Sequence, residues 1–177
     1  VGFMSGLLIF ALLLSAIVGG NSALNMNSRF DRYVEELFRQ EVSANTITLH
    51  YTVKDPESYG IQNPPVSCGY AGTDSALICA SAENALASLH QFKLSDYNKL
   101  TYDILEHSYT SSLEMGPYLL YEEPLTPLTG TQAQLPILLS EYRFYNTDDI
   151  DTYLKLLTTI PDYFQSILTF EKAKSNA

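Results

Sequence analysis

Residues 29–42 read RFDRYVEELFRQEV, and their spacing decides the fold class. Phe30, Tyr33, Val34, Leu37, Phe38 and Val42 recur at i, i+3, i+4 and i+7, the rhythm of a helix with one apolar stripe. Charged side chains fill most of the remaining positions. Ser28, with Asp31 three residues on, resembles a capping box at its start.

The same period returns along the chain. It predicts a second helix from about Asp74 to Phe92, with Leu77, Ile78, Ala82, Ala85, Leu86 and Leu89 inward and Asp74 as N-cap. A third spans about Asp96 to Leu113 through Leu100, Ile104, Leu105 and Tyr109. A fourth runs from Gln132 to Phe144, with Leu135, Leu138, Leu139 and Tyr142 on one face and Pro136 assigned to the first turn. Asn146-Thr147-Asp148-Asp149 is a helix start, because acidic groups there oppose the macrodipole. The helix it opens carries Ile150, Tyr153, Leu154 and Leu157 and is expected to stop before Pro161, which opens a last helix to about Lys174.

Two stretches are rich in breakers. Residues 54–73 hold Pro56, Gly60, Pro64, Pro65, Gly69 and Gly72 and read as a surface loop; residues 116–131 hold Pro117, Pro124, Pro127 and Gly130 around the aromatic run Tyr118 to Tyr121. Between the first helix and the first loop, Ile47, Leu49, Tyr51 and Val53 alternate with Thr48, His50 and Thr52, so residues 46–53 read as an extended segment. The expectation is an all-α chain with two long Pro/Gly-rich loops.

The charges are unevenly distributed. Of 177 residues, 20 are acidic and 10 basic, giving a net charge of −10, and none of them precedes Arg29. That balance argues against nucleic acid as a partner, which needs clustered positive charge. With 46% hydrophobic and 12% aromatic residues the chain has material for a core.

The uncharged run from Val1 to Gly20, VGFMSGLLIFALLLSAIVGG, matches the hydrocarbon thickness of a bilayer at about 1.5 Å per residue. It reads as a membrane anchor or as the apolar part of a signal peptide, with Gly19, Gly20, Ser22 and Ala23 near a cut. Residues 1–24 are thus an anchor or signal segment, and residues 25–177 a helical portion. Export to the cell membrane or beyond it follows, with Arg29 onward extracytoplasmic. The chain does not begin with Met, and its last helix runs to Ala177 without a stop signal, so a piece of something longer is expected.

Cys68 and Cys79 fit export as a short disulfide loop or as two plain thiols; their spacing is not that of a zinc site. Asp103, Glu106 and His107 fall at i, i+3 and i+4 and make a weak metal candidate, although an acidic solvent-facing helix yields such triplets by chance. Asp148, Asp149 and Asp151 lack the later Gly and Glu of a calcium loop and are better read as caps. Glu122 and Glu123 suit a solvated turn better than an acid/base pair. Tyr118, Tyr121, Tyr142, Tyr145 and Tyr153 either line a groove for peptide or sugar or are half-buried core aromatics. There is no His-Glu-x-x-His, no Gly-x-Ser-x-Gly, no phosphate loop and no Cys-x-x-Cys. No catalytic residue is assigned.

Four strings carry a resemblance. They are Thr48-Leu49-His50-Tyr51-Thr52-Val53-Lys54-Asp55-Pro56 with Tyr59-Gly60-Ile61; Leu100-Thr101-Tyr102-Asp103-Ile104-Leu105; Gly130-Thr131-Gln132-Ala133-Gln134-Leu135-Pro136; and the run through Ile150, Tyr153, Leu154, Pro161-Asp162-Tyr163-Phe164 and Phe170-Glu171-Lys172. In this order they resemble the N-terminal part of the bacterial family called domain of unknown function 885, exported and similar to helical zinc metallopeptidases. The resemblance implies peptide hydrolysis and a zinc ion in a full-length parent, with the His-Glu-x-x-His-like helix in a missing C-terminal catalytic region. No family catalytic residue carries over to this chain. The alternative is a non-catalytic cell-surface module that binds peptide or glycan.

Overall fold

In the computed structural model, which describes residues 26–94 and 98–177, the stripe of residues 29–42 forms helix α1, Met26–Val42. Five more helices follow: α2 Thr46–Thr52, α3 Ser75–Leu89, α4 Lys99–Met115, α5 Thr131–Ser140 and α6 Asp148–Asn176. Short 3-10 segments lie at Glu57–Tyr59 and Gly116–Tyr121, and no strand occurs among the described residues. The all-α expectation holds there. None of the described helices is long and apolar enough to cross a membrane; the anchor or signal reading of Val1 to Gly20 falls outside the described residues.

The described chain divides into two units. Residues 26–41 and Asp74–Leu119 make the α1/α3/α4 unit, and Val42–Thr73 with Leu120–Ala177 make the α2/α5/α6 unit.

In the α1/α3/α4 unit, α1 buries Phe30, Tyr33 and Leu37 against Ala85 and Leu89 of α3 and Tyr109 of α4. Phe92, just past α3, sets its ring edge-on to Phe30 at 5.3 Å and tilted to Tyr33 at 5.1 Å between centroids. Each enclosed side chain of this size contributes about 1.5–3 kcal/mol by leaving water. α3 begins as expected, with the Asp74 carboxylate accepting the Leu77 N–H at 3.0 Å. α1 already runs at Met26, so Ser28 lies inside the helix and the capping box assigned to it does not form. At the end of α4, a Cβ on Gly116 would meet the Cys79 Sγ at 2.5 Å but the Cys79 main-chain nitrogen only at 3.7 Å, so a side chain there would require the Cys79 thiol to move.

The α2/α5/α6 unit corrects the reading of residues 46–53. Residues 46–52 form a helix, α2, and not an extended segment; Val53 alone is extended, as its C-cap. Thr46, Leu49 and Val53 are also spaced i, i+3 and i+7, and all three are buried. Asn45 settles the competition between the two periods, because its side chain caps the helix by accepting the Thr48 N–H at 2.8 Å. Seven residues are too few to be helical alone. Tertiary contacts hold them: Leu49 and Val53 share a core with Val42 and Ile61.

The first breaker-rich stretch is less a surface loop than a strap. Thr46 N–H donates to the Ser67 carbonyl at 2.9 Å and the Ser67 N–H returns to the Thr46 hydroxyl at 2.9 Å. Further on, Cys68 N–H donates to Thr159 Oγ1 at 3.2 Å and Ala71 N–H to Ser166 Oγ at 2.9 Å. The strap therefore lies along α6, with Ile61 and Cys68 buried. Its turns place positive φ at Gly60 (72°), Asn63 (48°) and Gly69 (108°).

α6 runs unbroken through Pro161, where the sequence pattern predicts two helices. Proline inside a helix costs about 3 kcal/mol. Against that, Leu156 on one side of Pro161 and Ile167 and Phe170 on the other are all fully enclosed, and together they outweigh one lost bond. Pro136 likewise lies inside α5, in its second turn, because α5 starts at Thr131 and is shorter than the pattern implies.

Candidate functional site

The end of α5 leaves carbonyls without helical partners, as every helix does. In the α2/α5/α6 unit tyrosines take them up. Tyr51 of α2 donates its hydroxyl to the Leu138 carbonyl at 2.6 Å, and Tyr153 of α6 donates to the Leu139 carbonyl at 3.2 Å. One step further along the chain, the main-chain N–H of Arg143 donates to Nε2 of His50 at 3.1 Å. Side chains from α2 and α6 thus clamp the exit of α5.

An aromatic cluster grows on this clamp. The His50 ring lies flat on Tyr142, with centroids 3.7 Å apart and planes 9° from parallel. Tyr142 also contacts Tyr153 at 5.0 Å and Phe144 at 5.5 Å, and His50 contacts Tyr51 at 5.2 Å and Tyr145 at 5.9 Å. Tyr142 is buried at 8% exposure, whereas Tyr51, Phe144 and Tyr145 remain 45%, 52% and 51% exposed. The cluster therefore has a packed base and an open aromatic face.

Charge around the cluster is mixed. Burial holds His50 below the ordinary histidine range; Asp149 opposes that effect and Arg143 adds to it. Burial pushes the Tyr142 phenol up, reinforced by Asp149 and Tyr51. The Tyr51 phenol is pushed up by desolvation and by Glu141. Asp149 itself is fixed as a cap: its Oδ2 accepts the N–H groups of Tyr145 at 2.6 Å and Asn146 at 3.1 Å, while Asn146 Oδ1 accepts those of Asp148 and Asp149. This is the reciprocal form of a capping box, and it is the role expected for this acidic run.

No protein-family model matches the chain, and no curated protein or solved structure does.

The other sequence-derived candidates fare differently. Of the five tyrosines considered for a groove, Tyr142, Tyr145 and Tyr153 come together; Tyr121 lies at the end of the 3-10 segment Gly116–Tyr121, and Tyr118 belongs to the other unit. Asp103, Glu106 and His107 are not brought together as ligands. Asp103 is paired with Lys99, Glu106 accepts from His90 Nε2 at 2.9 Å, and no group of three His, Cys, Asp or Glu able to hold a metal exists among the described residues. Glu123 pairs with Lys174 at 2.7 Å, and the same ammonium donates to the Glu122 carbonyl at 3.0 Å. Cys68 and Cys79 are both free thiols, the first in the α2/α5/α6 unit and the second in the other. Cys68 is buried beside Thr159, and burial pushes its thiol up.

His50 and Tyr51 are the residues that sequence reasoning missed, because an extended reading sends them to opposite faces. Asn45 was the available signal: as an N-cap it makes residues 46–52 helical.

Proposed function

We propose that this chain is a non-catalytic helical module that binds peptide on the aromatic face of its α2/α5/α6 unit. The observation that carries the reading is the half-exposure of Tyr51, Phe144 and Tyr145 beside a stack of the partly exposed His50 on the buried Tyr142. Rigid, part-polar rings give contact area at low cost in side-chain entropy, which is why tyrosine is favoured at recognition surfaces. The test is a titration of the full chain with short unstructured peptides and, in parallel, with soluble oligosaccharides, followed by NMR. Peptide-induced shifts at Tyr51, Phe144 and Tyr145, lost or weakened about tenfold in Tyr145→Ala, agree with the reading; a response to sugars alone moves it to glycan, and no response to either removes it.

On the resemblance, the same module is the N-terminal helical portion of an exported, membrane-tethered, zinc-metallopeptidase-like protein, and its face is a wall beside the peptide substrate. Support comes from where the strings fall. Three of the four lie in the α2/α5/α6 unit and supply Leu49, Val53 and Ile61 to one core cluster and Leu135, Tyr153, Tyr163 and Phe164 to the other. The described residues hold no zinc ligand set, so no step of hydrolysis is assigned to them. The genomic reading frame around this sequence decides the matter: a His-Glu-x-x-His-like helix downstream of Ala177 sustains this reading, and a frame without one ends it.

A further inference from the structure

We propose that His50 is a pH-sensitive latch, in which the neutral imidazole ties α2 to the chain leaving α5 and protonation releases that tie. This holds whether or not the aromatic face binds peptide. The argument starts from the donor. A main-chain N–H has only its proton to offer, so the 3.1 Å contact from Arg143 N–H to His50 Nε2 requires a lone pair on Nε2 and places the ring proton on Nδ1. An imidazolium carries protons on both nitrogens and would set N–H against N–H. The bond cannot survive protonation in place.

The tie matters because of its position. α2 is a seven-residue helix, too short to persist without tertiary contacts, and His50 and Tyr51 tie it by hydrogen bonds to the exit of α5, beside the packing of Ile47 on the core cluster of Leu135, Tyr142 and Leu156. The groups around the ring come from both sides of the contact. Tyr51 is its neighbour on α2. From the α5–α6 connection come Tyr142 beneath it, Tyr145 at its edge, the guanidinium of Arg143 and, at the start of α6, the carboxylate of Asp149. Asp149 attracts a proton to His50, yet it already accepts two main-chain N–H groups; Arg143 and burial work against protonation.

The direction in pH follows. In the unfolded chain a histidine titrates near 6.5, and in the folded chain burial holds His50 below that. The unfolded state therefore takes up the proton first as pH falls. The latch contributes in full above the unfolded value and is lost as pH drops from about 6.5 through the lower folded value.

The experiment uses the full chain and its His50→Phe variant, which keeps a flat ring on Tyr142 but has neither acceptor nor titration. Thermal melts are recorded between pH 7.5 and 5. Melting of the parent should fall with pH more steeply than that of His50→Phe, so that the two curves converge at low pH; parallel curves would overturn the proposal. The remaining ionisable groups are common to both proteins and cancel in the comparison. If His50→Phe does not fold, NMR of the parent decides. The His50 ring and the Arg143 amide should titrate with one shared midpoint below 6.5, and separate midpoints, or one at or above 6.5, would refute the latch.

Discussion

The imidazole of His50 and the phenol ring of Tyr142 lie face to face, 3.7 Å apart and within 9° of parallel. One ring comes from the last turn of α2 and the other from the segment just after α5. Their contact is the centre of the α2/α5/α6 unit's polar and aromatic side, since Tyr142 also touches Tyr153 and Phe144 and lies in the core cluster with Cys68, Leu135 and Leu156.

Replacing that ring should therefore cost more than its area alone. Tyr142→Leu removes three ring contacts, each pair worth about 0.5–1.5 kcal/mol beyond burial, and is expected to lower stability by roughly 2–3 kcal/mol. Tyr142→Phe keeps the ring and should cost less than about 1 kcal/mol. Urea unfolding followed by far-UV circular dichroism separates the two, and equal losses would show that ring contact is not the source.

Tyr33 predicts an opposite effect in the α1/α3/α4 unit. Its side chain is fully enclosed, and its hydroxyl faces that of Tyr109, the one neighbour that influences its ionisation as a hydrogen-bond partner, without reaching normal hydrogen-bond geometry. Burial pushes its phenol up, as it does that of Tyr109 beside it. A buried polar group left unsatisfied costs about 1–3 kcal/mol. Tyr33→Phe keeps the ring on Phe30 and Phe92 and removes only the hydroxyl, so the thermal midpoint should hold or rise. A fall of several degrees would mean that the hydroxyl has a partner that matters.

Gly130 is constrained by space and not by backbone angle. Its φ is an ordinary −69°, yet a Cβ would lie 2.2 Å from the Thr126 nitrogen and 2.6 Å from the Thr126 oxygen. The turn is closed by Gly130 N–H to the Thr126 carbonyl at 3.1 Å and Thr131 N–H to the Pro124 carbonyl at 2.9 Å. Main-chain atoms in a bonded turn cannot step aside cheaply, so Gly130→Ala should destabilise by about 1–3 kcal/mol. Thermal melting measures it, and an unchanged midpoint would show that the turn yields.

Local signals were legible in the sequence where the partner lies within one helical turn. Asp74 caps α3, Asn146 and Asp149 cap α6, and the stripe of Phe30, Tyr33 and Leu37 faces a core. What could not be read depends on partners far along the chain. His50 finds its acceptor role at Arg143, Tyr51 finds Leu138, and Cys68 and Ala71 find Thr159 and Ser166. Those bonds turn a Pro/Gly-rich stretch into a strap and make a helix of seven residues whose alternation suits a strand equally well. The aromatic face was half visible: Tyr142, Tyr145 and Tyr153 were candidates, but the histidine that joins them lay in the misread segment.

Pro161 shows the same override of local preference, and it can be tested directly. The ring supplies no N–H, so the carbonyl of Leu157 loses its helical donor, and the ring crowds that carbonyl as well. The helix continues because Leu156, Ile167 and Phe170 are buried along it. Pro161 itself is exposed, so alanine there meets no packing constraint. Pro161→Ala restores one main-chain bond and removes the crowding, against about 0.4–1 kcal/mol of added unfolded-chain freedom. With about 3 kcal/mol on the other side, the net effect should be a gain of roughly 2 kcal/mol. Far-UV circular dichroism should show equal or higher helicity together with a higher midpoint. A lower midpoint would mean that α6 needs the bend a proline imposes, and that its two halves pack as separate helices, as the residue pattern alone suggests.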